Sequence, residues 1–255
     1  MRASTLTVVL GPALYAALAL ALEGRLPALP DAMGLVLACA LFSAVAIGAL
    51  AIGARAGLDM NTGALLGLAA LVGALLVNHS TVHAALVLVA ALGLGAAFAA
   101  WVAPQLEDWS VVVTVAVCLA LFDFWSVKFG PAHHAATGGF LQRLLLDVPA
   151  PVGWTRFLGI SDLLVIALLA ELSARRGLGR ARAFGAGLLA LWASLAQAYL
   201  TRGPAPALPW IGALFAIAAW STVRPTRAGW MRTARWSGIT VALLAVATVV
   251  MRLPS

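Results

Sequence analysis

Charge is what this chain has least of. Its 255 residues include 16 Lys+Arg and 9 Asp+Glu, or 10% charged residues, where a soluble domain carries about 25%. That is too little to coat a water-facing surface, so the soluble enzyme and binding-module classes are excluded. Cysteine is nearly absent as well. Cys39 and Cys118 both sit inside apolar runs, which leaves no disulfide framework and no thiolate metal motif. The four histidines form no HExxH, so a zinc protease has no signature here and no metal or other cofactor is expected. Although the net charge is +7, the basic residues are scattered through short gaps between apolar runs. That is a topogenic pattern and argues against nucleic acid as a partner.

What the chain has in abundance is apolar length. It is 63% hydrophobic with a mean hydropathy of +1.02, so the bilayer is its solvent. A hydrocarbon core needs roughly 20 helical residues. That ruler predicts an all-α polytopic membrane protein with nine transmembrane helices in one bundle, near 4–22, 32–54, 61–77, 82–103, 109–128, 157–173, 183–200, 206–223 and 237–253. The first run is long enough to span and has only Arg2 before it, so it reads as a span rather than a secretory signal. Prolines mark most boundaries: Pro27, Pro30, Pro104, Pro149, Pro151, Pro204, Pro206 and Pro225. Three parts follow: an N-terminal bundle of four helices over 1–108, a second group of four over 109–223, and a basic loop with one further helix over 224–255. Arg175, Arg176, Arg180 and Arg182 crowd one gap, and Arg224, Arg227, Arg232 and Arg235 another. The positive-inside rule makes both cytoplasmic, which puts the N-terminus inside and the C-terminus outside.

With so few acids, each can be placed. Glu23, Asp31, Asp59, Glu107, Asp108 and Asp147 fall in gaps and read as solvated loop charges. Glu171 can pair with Arg175 four residues on. Asp123 and Asp162 alone fall inside predicted helices with no such excuse, and an ionisable residue in lipid is a functional candidate by default. Asp123 lies five residues before Lys128, and Asp162 six after Arg156. Their depths below one membrane face therefore match, at about 8 Å on a 1.5 Å rise. Two facing carboxylates share a proton, which is the chemistry of aspartic proteolysis.

The motifs around them resemble those of the presenilin and signal peptide peptidase family of intramembrane aspartyl proteases, in particular its shorter prokaryotic members. That family carries Tyr-Asp in one helix, Gly-x-Gly-Asp in the next and Pro-Ala-Leu in a later one. Here "LFDFWSVKFGP" at 121–131 places Asp123 on the first motif with Phe122 where tyrosine is usual, and continues through Val127 to Gly130-Pro131. "LGISD" places Gly159 and Asp162 on the second, with Ser161 in place of the glycine beside the aspartate. "PALP" places Pro206, Ala207 and Leu208 on the third. The resemblance covers 109–223 and implies a presenilin-like core. By it Asp123 and Asp162 are catalytic, the other motif residues support the site, the substrate is a transmembrane or signal-like peptide, and the location is a bacterial inner membrane. Four helices rather than five precede the first aspartate, and one extra helix follows the Pro-Ala-Leu.

Each motif also has a physical job. Gly159 and Ser161 are small enough to let a backbone approach Asp162. Pro206 and Pro209 weaken the start of their helix and free backbone groups. Two rival readings use the same residues: a proton-coupled transporter with Asp123 and Asp162 as carriers, and an inactive relative that binds membrane helices without cutting them. His79 and His83 read as interfacial polar residues, and His133 and His134 fall in the long 129–156 connection. An apolar patch in that connection, "GGFLQRLLLDVPAP", is expected to lie on the membrane as a gate or substrate-binding segment.

Overall fold

The computed structural model describes residues 3–26, 32–55, 57–106, 109–129, 140–151, 153–219 and 226–252. Nine α-helices are present among them: α1 (Ala3–Leu22), α2 (Met33–Gly53), α3 (Met60–Leu76), α4 (Ser80–Val102), α5 (Trp109–Lys128), α6 (Ile160–Arg175), α7 (Arg180–Thr201), α8 (Leu208–Ala219) and α9 (Arg227–Arg252). A two-stranded antiparallel sheet, β1 (Leu145–Pro149) and β2 (Trp154–Gly159), stands between α5 and α6. Gly130, Pro131, His133 and His134, like Asp31, Glu107 and Asp108, lie outside the described residues.

The helices answer the expected runs, but nine spans are not what they amount to. Four are long and apolar enough to cross a membrane: Met33–Gly53, Ser80–Gln105, Val111–Lys128 and Arg180–Thr201. Val8–Leu22, Met60–Leu76 and Leu208–Ala219 are shorter apolar helices. The shortfall has local causes. The run at 157–173 spends its first residues in β2, so α6 has only 16 helical residues. The run at 206–223 opens in a proline turn, α8 has 12 described residues from Leu208 to Ala219, and 220–223 lie outside the described residues. In α9 the helix begins ten residues before the apolar run and carries Arg227, Arg232 and Arg235 in its first turns.

Packing follows side-chain size. In the hairpin of α3 and α4 the backbones touch: a Cβ on Gly93 would lie 2.6 Å from the Gly63 carbonyl oxygen and 2.7 Å from the Gly67 nitrogen. Where helices have no hydrophobic drive to associate, small residues of this kind permit the approach. Helix α4 continues onto α1 and α6, α6 onto α7, α7 onto α2 and α8, and α8 onto α5. Helices α5 and α6 make only marginal backbone contact with each other. Helix α9 rests on α5 with no comparable contact to another element among the described residues. The pair runs parallel, joined by Thr114–Thr233 (2.9 Å), Thr240–Cys118 (3.3 Å) and Trp125–Thr248 (2.7 Å).

The described part of the connection expected to lie on the membrane, from residue 140 on, is instead built into the fold. Its strand β1 packs on α4 and touches α1 and α2, and Leu146, Asp147 and Val148 are all buried. Where the strands turn back, the Ala150 N–H donates to the Gly153 carbonyl at 2.9 Å. Gly153 takes φ +75° there, a conformation that suits glycine.

Candidate functional site

The marginal contact of α5 with α6 leaves a cavity of about 750 Å³. Asp123, Gly159, Ser161, Asp162 and Ala207 all line it, with Ser194 of α7 and residues of both strands. Three motifs far apart in sequence thus meet at one void. The two carboxylates lie within electrostatic range of each other.

Each aspartate is held by the start of a helix. Helix α8 begins at Leu208, where the first N–H groups have no partner inside the helix. Asp123 Oδ2 accepts the Leu208 N–H at 2.9 Å, and the Ala207 N–H also faces it. Pro206 and Pro209 explain why this end is available, since neither has an N–H to place. Leu208 and Pro206 are themselves buried. They shape the cavity by presenting that backbone, and Ala207 alone of the three lines it.

Asp162 is not in mid-helix, as its run had indicated. Because β2 extends to Gly159, the aspartate stands in the first turn of α6 and faces the Gly159 N–H. Aspartate in a first turn complements the helix dipole. Gly159 earns its place by space: a Cβ there would lie 3.2 Å from Asp162 Oδ2 and 3.2 Å from Ser161 Oγ. Phe122 belongs elsewhere. Its ring is 49% exposed and faces a groove shared with Arg232 and Trp236 of α9, 5.9 Å from the Trp125 ring.

The cavity has a polar wall that the sequence reading missed. Asp147, expected to be a solvated loop charge, is 3% exposed. Across the hairpin its Oδ1 accepts from Arg156 Nε at 3.0 Å. Its Oδ2 is 3.1 Å from His83 Nδ1. The other ring nitrogen of His83 is 3.1 Å from the Arg143 carbonyl, so His83 is a buried strut rather than an interfacial residue. Arg156 Nη1 donates to Gln142 at 3.0 Å, and the Tyr15 hydroxyl donates to the Asp147 carbonyl at 2.8 Å. A legible signal existed: Asp and Arg flank "PAPVG" between two apolar runs, the pattern of a hairpin with an ion pair across it.

Among the described residues no cluster of three His, Cys, Asp or Glu side chains could hold a metal ion. In comparisons with known proteins, no family model, no curated protein and no solved structure matches this chain.

Proposed function

We propose that the chain is an intramembrane aspartyl endopeptidase of the presenilin-like kind, cutting transmembrane or signal-like peptides inside the bilayer. One observation carries the reading: Asp123, Asp162 and the backbone of Ala207 border the same cavity. The ionised carboxylate takes a proton from water as the oxygen attacks the scissile carbonyl. The protonated partner donates to the carbonyl oxygen, giving a gem-diol that collapses as the leaving nitrogen is protonated. A helical substrate must first give up its own hydrogen bonds. Strand β2, paired on one side only among the described residues and leading into the first turn of α6 where Asp162 stands, offers an edge for the unwound segment. In this reading the four long apolar helices cross the bilayer, and the shorter ones sit where it is locally thinned. The N-terminus is cytoplasmic, and a reporter fused within 174–182 reads cytoplasmic.

The test is cleavage of membrane-helix substrates by purified protein. Asp123→Asn and Asp162→Asn each lower the rate by roughly 10²–10⁴-fold, and the double variant is no slower than either single, because the pair acts as a unit. Wild-type cleavage by either variant ends the proposal. A second reading draws on the hydrogen bonds themselves: two carboxylates occupied in capping α6 and α8 suit an inactive relative that only binds helices. It predicts stable substrate capture by wild type with no product.

A further inference from the structure

Small residues close the α3–α4 seam, but at the end of the bundle away from the aspartates they leave space. There the last turns of α2, α4 and α6 and the first turn of α7 surround a cavity of about 250 Å³. Alanines form much of its wall, among them Ala96, Ala99 and Ala100 of α4 and Ala167 and Ala170 of α6. Protein interiors are normally filled to crystal density, so a recess of this size among alanines is room kept open. Glu171, Arg175 and Arg180 also line it.

Those three form one group. Arg175 Nε donates to Glu171 Oε1 at 3.0 Å and Arg180 Nη2 to Oε2 at 2.9 Å. One carboxylate faces two guanidiniums, so the group carries a net positive charge. Each arginine has five N–H donors in a fixed fork and is nearly half exposed, at 45% and 42%. Ion pairs this open add little to stability, and donors remain for a second anion. The recess falls just below the 300–1,000 Å³ of sites that enclose drug-sized ligands. Together these features fit a compact amphipathic anion: charge at the mouth, a few carbons among the alanines.

We propose that this recess binds the anionic headgroup of a phospholipid, its phosphate on Arg175 and Arg180 and its glyceryl carbons against the alanine wall. The shared chemistry is a phosphate ester, which a bilayer or the aqueous phase could supply, so the experiment has an arm for each. Full-length protein in detergent is titrated with phosphatidylglycerol, phosphatidylcholine or soluble glycerol 3-phosphate, and adducts are counted by native mass spectrometry. Wild type retains one phosphatidylglycerol in preference to phosphatidylcholine. Arg175→Gln and Arg180→Gln each weaken that retention about fivefold, and the double variant by the product of the two. Glu171→Gln, which frees both guanidiniums, strengthens it. Ala100→Leu removes the adduct with the charges untouched; the glutamine variants carry the test if that chain does not fold. Equal retention of the two lipids by wild type, or undiminished retention by the double arginine variant, overturns the site. Arginine-dependent binding of glycerol 3-phosphate without lipid retention overturns the lipid as its source.

Discussion

In the proposed reaction Asp123 would do two things with one carboxylate, cap α8 and cycle a proton, and substitution separates them. Asparagine can still accept the Leu208 N–H, so Asp123→Asn inserts and melts like wild type while losing the proton it would cycle. Alanine removes the acceptor too. Asp123→Ala is expected to be less stable than Asp123→Asn by about 1 kcal/mol, the usual worth of a capping acceptor, read from the detergent melting midpoints of the two variants. Asp59 illustrates the same chemistry at an exposed position. Its Oδ1 accepts the Thr62 N–H at 2.9 Å at the start of α3, and the Thr62 hydrogen bonds hold its carboxyl below the usual carboxylate range. A depressed value means the stabilisation is complete above the unfolded carboxylate's range and is lost as pH falls through the folded one. Wild type should therefore converge on Asp59→Ala as the pH of a melting series drops into the acid range, and a gap that persists in acid would refute the assignment. Both aspartates of the cavity were legible from the sequence because a charge in an apolar run stands out. Asp147 was not, since a charge in a proline-rich gap looks ordinary until the strands pair and bury it.

Most helix positions were legible to within a few residues because the apolar runs are long and proline stops them; α9, which starts ten residues before its apolar run, is the exception. What periodicity could not give was the state of a run's first turn: residues 157–159, read as the start of a helix, are taken into β2 by its pairing with 145–149. Tertiary contact decided that, as it commonly does for short apolar stretches. Element-scale contacts invite two measurements. At Gly93 a side chain meets three backbone atoms of the facing helix α3, so Gly93→Val should cost about 1–3 kcal/mol by overpacking, seen as a lowered melting midpoint, while Gly238→Val, which meets nothing within 4 Å, should not. The parallel seating of α9 on α5 brings the Thr240 hydroxyl 3.3 Å from Cys118 Sγ. Thr240→Cys should then form a disulfide with native Cys118 under mild oxidation. Leu243→Cys, which is 65% exposed, should not, and cross-linking of both alike would mean that α9 does not hold this register.

At the scale of the whole chain, its two ends of chemistry lie apart. The aspartates and the hairpin occupy the end where α6 begins, and the Glu171 cluster the end where it finishes. Four of the helices are suited to crossing a membrane, and the shorter α3 packs on one of them, α4. The hairpin belongs, by its fastenings, to the part of the chain that precedes it. Tyr15 of α1 and His83 of α4 grip Asp147, Glu23 accepts the Trp154 indole N–H at 2.7 Å, and Arg143 reaches the Leu75 carbonyl and Asn78 at the end of α3. A ribosome delivers these in a fixed order. These sockets have been made before the first strand residue emerges, and domains generally fold from the N-terminal side during synthesis. The strands can thus seat on a finished surface and wait, ceiling first, for the helix that begins with Asp162. The last wall arrives with Ala207 and Leu208, so the chamber closes late in synthesis, once both carboxylates are already in place.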